Sequence, residues 1–254
     1  MTRISISGID IEYELLGDTG APAIALTPGG RFTKESPGLP ELAQALVAGG
    51  RRVLLWNRPN CGGSDICFNA ENESELHGRT LTQLIRTLDL GPTALAAGSA
   101  GSRVSLIAAS RDPDIVSHLA IWWISGGAIS LISLAAYYCV DSALAASHGG
   151  MAAVANLPSW AEQIRRNPKN RDIIMAQDPE RFIQTMERWA LAYMPSTTSP
   201  VPGMSPEDFA RLRMPVLIYR NGKSDISHTR RTSEWVHELI PHSQVIDPDR
   251  KSVV

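Results

Sequence analysis

The chain has few cysteines, no marked excess of either charge and no long apolar segment at its amino terminus. Its 254 residues include three cysteines, an odd number and too few for a disulfide framework, so a reducing, cytoplasmic location is expected. A formal net charge of −2 gives no electrostatic reason to expect nucleic acid or an anionic membrane as a partner. The first five residues lack the apolar core of a secretory signal peptide.

One uncharged segment, residues 119–140, is long enough to cross a bilayer. A Ser-Gly-Gly run at residues 125–127 interrupts it, and further serines and two tyrosines lie within it. A buried strand followed by a buried helix explains this composition better, so no membrane span is expected.

Strand-like and helix-like patterns alternate in the first half of the chain and again from residue 206 onward. This alternation is typical of a mostly parallel, doubly wound α/β sheet with helices on both faces. Residues 127–204 show helical patterns broken by glycine pairs and prolines, without a convincing strand. The sequence therefore predicts an α/β core of residues 1–126 and 205–254 with an inserted helical lid, or cap, of residues 127–204.

Apolar periodicity locates the individual elements. The expected strands cover residues 4–7, 9–16, 21–26, 52–56, 93–97, 116–124, 215–219 and 244–246. The expected core helices cover residues 39–47, 73–90, 103–110, 206–212 and 232–240, and helical patterns of the cap cover residues 129–146, 159–166 and 179–193.

Residues 97–101 (Ala-Gly-Ser-Ala-Gly) join an apolar run to a helical pattern. Small residues two positions before and after Ser99 fit a sharp strand-to-helix turn that exposes the serine hydroxyl at the edge of a sheet. An ordinary Gly/Ser connection would use the same residues, so this segment alone leaves a structural and a catalytic role open. Ser102 is the competing serine, but it lies one turn into the helix and is followed two positions later by Val104, which is not small.

Two motifs precede this turn. Residues 27–31 (Thr-Pro-Gly-Gly-Arg) follow the third expected strand, and residues 57–65 (Asn-Arg-Pro-Asn-Cys-Gly-Gly-Ser-Asp) follow the fourth. In order and spacing, the three motifs resemble the oxyanion loop, the Asp-x-Pro-Gly-x-Gly-x-Ser-Asp turn and the nucleophile elbow of the α/β-hydrolase family. Asn57 and Asn60 stand where that family usually has Asp and Gly. The resemblance extends over residues 4–247 and implies a serine hydrolase with a helical lid.

The resemblance also implies roles for single residues. Ser99 corresponds to the nucleophile, and the backbone N–H groups of Ala100 and of Gly30 or Arg31 correspond to the oxyanion hole, where negative charge develops during the reaction. Asp225, in the loop after the strand at residues 215–219, corresponds to the catalytic acid. Its alternative role is that of a loop aspartate that hydrogen-bonds its own backbone.

The catalytic histidine of the family, which follows the last strand, has no counterpart here because no histidine follows His242. The closing helix is absent too. Three explanations remain open: a truncated or altered chain, a different histidine, or a protein that does not use a serine nucleophile, since serine without a base is a poor nucleophile. His228 is the best substitute because it lies three residues after Asp225 in the same expected loop, although it could instead line a cavity or face solvent.

The remaining histidines are expected elsewhere: His77 and His237 on solvated helix surfaces, His118 and His242 at the wrong end of the sheet, and His148 in the cap. No cluster has metal-ligand spacing, and neither a metal nor another cofactor is expected.

Arg58, Trp122 and Trp123 are the candidate substrate contacts. Trp122 and Trp123 end a strand, so one should face the site and the other the core. Arg31 and Arg58 lie in loops at the expected carboxyl edge of the sheet and are candidate anion-binding side chains, whereas Arg103 is expected to make a structural hydrogen bond. Most cap aromatics should form the core of the cap, and a minority lining a cavity would suit an apolar or aromatic small molecule.

The sequence thus predicts a carboxylesterase-like or C–C bond hydrolase that acts on a small-molecule ester, lactone or diketone-type bond. The alternative is a non-catalytic ligand-binding or inactive protein of the same fold. Neither nucleic acid nor a membrane is expected as a partner, and a homodimer is left open.

Overall fold

The structure, a computed structural model, describes residues 2–223 and 225–247. These residues form an eight-stranded sheet in the order β1-β2-β4-β3-β5-β6-β7-β8. The strands are β1 (Thr2–Ile6), β2 (Ile9–Leu16), β3 (Ala23–Thr27), β4 (Arg52–Trp56), β5 (Thr93–Gly98), β6 (Val116–Trp122), β7 (Val216–Tyr219) and β8 (Gln244–Ile246). β2 pairs antiparallel with β1 and β4, and the remaining pairs are parallel. The predicted mostly parallel α/β fold is confirmed.

Helices pack on both faces of this sheet. The core helices are α1 (Leu39–Ala48), α2 (Glu73–Thr87), α3 (Ala100–Arg111), α9 (Pro206–Ala210) and α10 (Arg230–Leu239). Within the described residues, the face that carries α1 is open over β5 to β8, where a cavity of about 750 Å³ is lined by Ala96, Ala120 and Tyr219, among others. Successive strand residues point to opposite faces, so Leu26 and Val53 pack with α1 residues while their neighbours Ala25 and Leu54 join the larger cluster that includes α2 and α3. This two-sided burial is why β3 and β4 are almost continuously apolar.

Element ends differ from the expected ones where the backbone adopts a left-handed conformation. β6 ends at Trp122 rather than at residue 124, since Trp123 has φ 48°. α2 ends at Thr87, before Asp89 with φ 50° and Gly91 with φ 65°. These positive φ values are incompatible with continuing a strand or a right-handed helix.

The segment between β6 and α9 is helical, as expected. It contains α4 (Ala128–Ala135), a π-helix (Ala136–Val140), α5 (Asp141–Ala155), α6 (Pro158–Arg166), α7 (Lys169–Met175) and α8 (Pro179–Leu191). α7 was not predicted, because seven residues are too few to show a clear helical period. A separate hydrophobic cluster holds these helices together and includes Tyr138, Trp160, Phe182, Met186 and Trp189. The predicted cap boundaries at residues 127 and 204 stay a prediction.

The helical run Ala128–Arg166 is long and apolar enough to cross a membrane by length and composition, and 33% of its most apolar window is buried. The expected buried helix is therefore wrong, because Ile129, Ile132 and Tyr137 are exposed. The run is also interrupted at Gly149 and Gly150, whose backbone angles are not helical.

Candidate active site

Ser99 lies in a sharp turn between β5 and α3, with φ 55° and ψ −125°. Its N–H donates to the carbonyl of Trp122 over 3.1 Å, which ties the turn to the end of β6. A Cβ added to Gly98 would lie 2.3 Å from Trp122 Nε1, and one added to Gly101 would lie 2.3 Å from the carbonyl oxygen of Thr27. Neighbouring segments therefore exclude larger side chains on both sides of Ser99, as the small residues of this motif indicated.

Three polar side chains meet at this turn. Ser99 Oγ lies 2.9 Å from Nε2 of His228, and Nδ1 of the same imidazole lies 2.9 Å from Oδ2 of Asp225. The other carboxylate oxygen of Asp225 accepts the N–H groups of Ser227 and His228. Burial alone would raise the pKa of Asp225, but the hydrogen bonds from His228 and Ser227 lower that pKa below its usual value. An ionised Asp225 then accepts the Nδ1 proton and leaves Nε2 free to accept from Ser99.

His228 reaches Ser99 because two loops run side by side. The β7–α10 loop (residues 220–229) carries Asp225 and His228, and the β6–α4 loop (residues 123–127) follows the strand next to Ser99. Gly126 and His228 form an isolated parallel bridge, and Ser130 Oγ donates to the carbonyl of Ser227 over 2.9 Å. Ser224, part of the predicted acid turn, lies outside the described residues.

Ser125 is a site residue that the sequence analysis did not identify. Its Oγ is buried and lies 3.2 Å from Ser99 Oγ, within hydrogen-bond distance. Its position just after a parallel strand was the available signal, because carboxyl ends of parallel strands share one edge of the sheet. By contrast, the hydroxyl of Ser102 donates to the carbonyls of Ala97 and Trp122, both over 2.8 Å, so it faces away from the site.

The β3–α1 loop passes directly over Ser99. A Cβ added to Gly29 would lie 2.9 Å from Ser99 Cβ, so only glycine allows this approach. Arg58 is fully buried, and its guanidinium donates to the carbonyls of Gly29 and Gly30. Arg58 therefore supports the loop from behind and does not line either cavity at Ser99, which contradicts its expected contact with substrate.

Two cavities open on Ser99 and His228. One of about 350 Å³ is rich in hydroxyl groups, and one of about 530 Å³ is mainly apolar. The first is lined by Ser125, Ser130, Ser133, Tyr137 and Ser227, and the second by Phe32, Leu39, Leu42, Trp122 and Trp123, among others. Among the described residues that line them, none is lysine or arginine.

Trp122 and Trp123 both line the larger cavity, and neither belongs to the core. Trp123 is 54% exposed, and its ring centroid lies 6.5 Å from that of His228. The expectation that one of the two packs into the core is wrong, because the left-handed φ of Trp123 ends the strand and its alternation of faces.

Solved structures match the fold of this protein over nearly the whole chain. An α/β hydrolase from Sphaerobacter thermophilus has a TM-score of 0.62 at 16% identity, with 100% of this chain and 95% of that chain covered. The chain has the α/β-hydrolase fold. An enol-lactonase from Burkholderia xenovorans shares this fold, with a TM-score of 0.64, 19% identity, and 98% and 91% of the two chains covered.

Sequence comparison is less extensive. No family model matches the chain. A 2-hydroxy-6-oxononadienedioate/2-hydroxy-6-oxononatrienedioate hydrolase of Cupriavidus pinatubonensis is 30% identical over 122 residues, which are 46% of this chain and 42% of that protein. The match thus spans less than half of the relative, so the fold is shown by the solved structures and not by this sequence match.

Within this α/β-hydrolase fold, Arg31 also makes internal contacts. Its guanidinium forms a buried ion pair with Glu73 and lies over the rings of Tyr138 and Trp160, at 4.8 and 5.1 Å from their centroids. Burial opposes the charge of Arg31, but Glu73 raises the pKa of Arg31 above its usual value. The Arg31 side chain is therefore paired with Glu73 inside the protein, which contradicts its expected role in binding an anion. The backbone N–H of Arg31 stays a candidate for the oxyanion hole.

Arg103 makes the expected structural contacts: its Nε donates to Ser74 Oγ over 2.8 Å, and its guanidinium lies over the ring of Tyr193. Among the other histidines, His77 contradicts its expected solvation: it is buried, and its Nε2 lies 2.8 Å from the carbonyl oxygen of Pro59. In the described part of the chain, no group of three or more His, Cys, Asp or Glu residues could hold a metal ion.

Proposed function

We propose that the protein is a hydrolase in which Ser99 is the nucleophile, His228 the general base and Asp225 the residue that orients the base. The observation that carries this proposal is the continuous contact from Ser99 Oγ to His228 Nε2 and from His228 Nδ1 to Asp225, with 2.9 Å at each step. It supports His228 as the activating base, a role for which the sequence alone left a different histidine as one of three open explanations.

The reaction proceeds in two halves. As Ser99 Oγ bonds to the substrate carbonyl carbon, its proton moves to His228 Nε2, and Asp225 stabilises the imidazolium. His228 then returns this proton to the leaving oxygen, and an acyl-enzyme remains. A water molecule gives a proton to His228 and attacks the acyl carbon; as the bond from that carbon to Ser99 Oγ breaks, His228 returns the proton to Ser99, so an ester plus water becomes an acid plus an alcohol.

The negative charge of the tetrahedral intermediate would be held by the N–H of Ala100 and by that of Gly30 or Arg31. Ala100 begins α3, and a helix amino terminus favours an anion. The close approach of Gly29 to Ser99 supports the second donor, because it brings this loop to the reacting atom. Each such donor lowers the barrier by roughly 3 kcal/mol.

An uncharged ester or lactone with an apolar or aromatic group fits the two cavities best. The larger cavity offers Phe32, Trp122 and Trp123 for such a group, and no described lining residue is cationic. C–C bond cleavage is the second candidate because of the Cupriavidus relative. Ile129, Ser133 and Tyr137 of the predicted cap line the smaller cavity, which supports a role of the cap as a lid over the substrate.

A fluorophosphonate probe tests the proposal. We expect stoichiometric labelling of Ser99 in the parent protein, no labelling of Ser99→Ala, and a labelling rate about 10²–10⁴-fold lower in His228→Ala. Ser105→Ala, a change within the helix that follows Ser99, should be labelled like the parent. A folded parent protein that the probe does not label would favour the alternative, a ligand-binding protein without hydrolase activity.

A further inference from the structure

Asn221 is a buried amide two residues after the end of β7, and it joins the two loops that meet at the site. It is 1% exposed. Its Nδ2 donates to the carbonyls of Ile124 and Thr229 over 3.0 and 3.1 Å, and its Oδ1 accepts the N–H of Ile124 over 3.1 Å. Its own N–H donates to Ser233 Oγ in α10 over 3.1 Å. The side chain thus pairs with the β6–α4 loop on one side and with the end of the β7–α10 loop on the other.

These contacts matter because of where the three reacting side chains are attached. Asp225 and His228 are three residues apart, so their hydrogen bond is made inside one loop. The contact between His228 and Ser99 instead joins positions 129 residues apart. Ser99 is tied through its N–H to Trp122, two residues before Ile124, while Thr229 follows His228. The amide of Asn221 is therefore a short connection between the backbone beside Ser99 and the backbone beside His228.

We propose that Asn221 is a positioning residue that sets the distance between the His228 imidazole and the Ser99 hydroxyl. The inference rests on the proposed function, and it assigns Asn221 no contact with substrate. Two other described contacts of the β7–α10 loop with this region are weaker: the N–H of Gly126 reaches the carbonyl of Ser227 only at 3.5 Å, and Ser130, in α4, contributes a single hydrogen bond. Asn221 contributes three side-chain hydrogen bonds at a site closed to water. Removing its amide would therefore leave buried backbone groups of Ile124 and Thr229 without a partner.

The test compares Ser99 labelling by a fluorophosphonate in Asn221→Ala and in the parent. We expect the rate to fall about 10- to 100-fold, because a displacement of about 1 Å between reacting groups costs that much. For hydrolysis of a simple ester, kcat should fall while KM changes little, since Asn221 lines neither cavity. The low-field NMR resonance of the His228 Nδ1 proton, shared with Asp225, should persist in Asn221→Ala and disappear in Asp225→Asn.

Asn170 provides a matched control. It is equally buried, its Oδ1 accepts the N–H of Ile66 over 2.9 Å, and its Nδ2 donates to the carbonyls of Ser64 and Gln163. Asn170→Ala removes one accepted and two donated side-chain hydrogen bonds, as Asn221→Ala does, but at a position that does not contact the site. We expect it to lose stability but to keep the parent labelling rate.

Equal labelling rates in folded Asn221→Ala and parent would overturn the inference. The inference would also be overturned if Asn221→Ala lost both its labelling by the probe and the low-field resonance of the His228 Nδ1 proton. The amide of Asn221 would then maintain the shape of the loop that carries Asp225 and His228, and not the distance from that loop to Ser99. If Asn221→Ala does not fold, Asn221→Leu takes its place, because it has a similar shape and buries no charge but loses all three side-chain hydrogen bonds; the same rate decrease is expected. A parent that is not labelled would overturn the proposed function itself, which distinguishes that failure from this one.

Discussion

His77 lies in α2 with its imidazole buried against the carbonyl of Pro59, in the loop that also carries Arg58. Burial lowers the pKa of His77 to about 3, although Glu73 acts in the opposite direction. The same Glu73 pairs with Arg31, and that ion pair holds the pKa of Glu73 below its usual value in spite of burial. At neutral pH His77 is therefore neutral, and the charges beneath the site loops are those of arginine and glutamate.

We expect His77 to make the protein sensitive to acid. The unfolded chain takes up a proton on His77 below its usual pKa of about 6.5, whereas the folded chain does not until about pH 3. The free energy of unfolding should thus decrease by about 2 kcal/mol from this residue between about pH 7.5 and pH 5. Urea unfolding of the parent and of His77→Gln at both pH values measures it. An equal loss of stability in both proteins would contradict the assignment.

Asn60 stands where the α/β-hydrolase motif that residues 57–65 resemble usually has glycine, and its side chain preserves the turn. Its φ is 65°, a left-handed conformation that glycine adopts freely and that asparagine tolerates better than most residues. Its side chain compensates by bonding both the N–H and the carbonyl of Cys67 and the carboxylate of Glu73. The substitution therefore adds polar contacts under the site instead of disrupting the loop.

At the scale of the element, the β5–α3 turn concentrates backbone strain on one residue. Ser99 has a positive φ that costs a residue with a Cβ of order 1–3 kcal/mol, and the packing of Gly98 and Gly101 against Trp122 and Thr27 maintains it. The strain is retained because it directs the hydroxyl toward His228, out of the helix that starts at the next residue.

The strain predicts opposite effects of glycine at two serines near and within α3. Ser99→Gly should be more stable than Ser99→Ala by about 1 kcal/mol, because glycine relieves the positive φ. Ser105 lies inside α3 with helical backbone, so Ser105→Gly should be less stable than Ser105→Ala by about 1 kcal/mol. Thermal or urea unfolding of the four variants measures both differences. The same sign at both positions would show that Ser99 is not strained.

At the scale of the whole molecule, the helices between β6 and α9 pack on the segment that joins β4 to α2. Phe68 of that segment lies in their hydrophobic cluster, with ring centroids 5.5 Å from Trp160, 4.9 Å from Phe182 and 6.1 Å from Trp189. Near it, Asn167 Nδ2 donates to the carboxylate of Asp65 over 2.9 Å. The cluster of the helical segment is thus completed by a side chain from the sheet-forming part of the chain.

Phe68→Ala should therefore loosen these helices more than the sheet. Loss of a buried phenylalanine costs about 3–5 kcal/mol, and its cavity lies among Trp160, Phe182 and Trp189. Amide hydrogen exchange should accelerate in α6 and α8 and change little in α3, β5 and β6. Equal acceleration in all of these elements would indicate a single cooperative unit and contradict the prediction.

Local patterns in the sequence were sufficient for most of the architecture. Alternating periods predicted the mostly parallel sheet, and the small residues around Ser99 predicted its sharp turn, because backbone sterics act over a few positions. Asp225 could be singled out by its place after a strand. The catalytic roles of Ser99 and Asp225 stay predictions until labelling tests them.

The remaining features depend on segments far apart in the chain, and only the tertiary structure decided them. The sequence identified His228 as a candidate base but could not predict that its imidazole points toward Ser99. The orientation of this imidazole depends on two loops that Asn221 connects. The sequence could not show that Arg58 supports the loop at Gly29, because an arginine after a strand can equally well face a substrate. Nor could it show that His77 is buried, because a histidine in a helix is as common on a solvated surface. The sequence by itself determined where a serine hydroxyl would be exposed by a sharp turn, because backbone sterics act locally, and long-range packing decided which imidazole lies beside it.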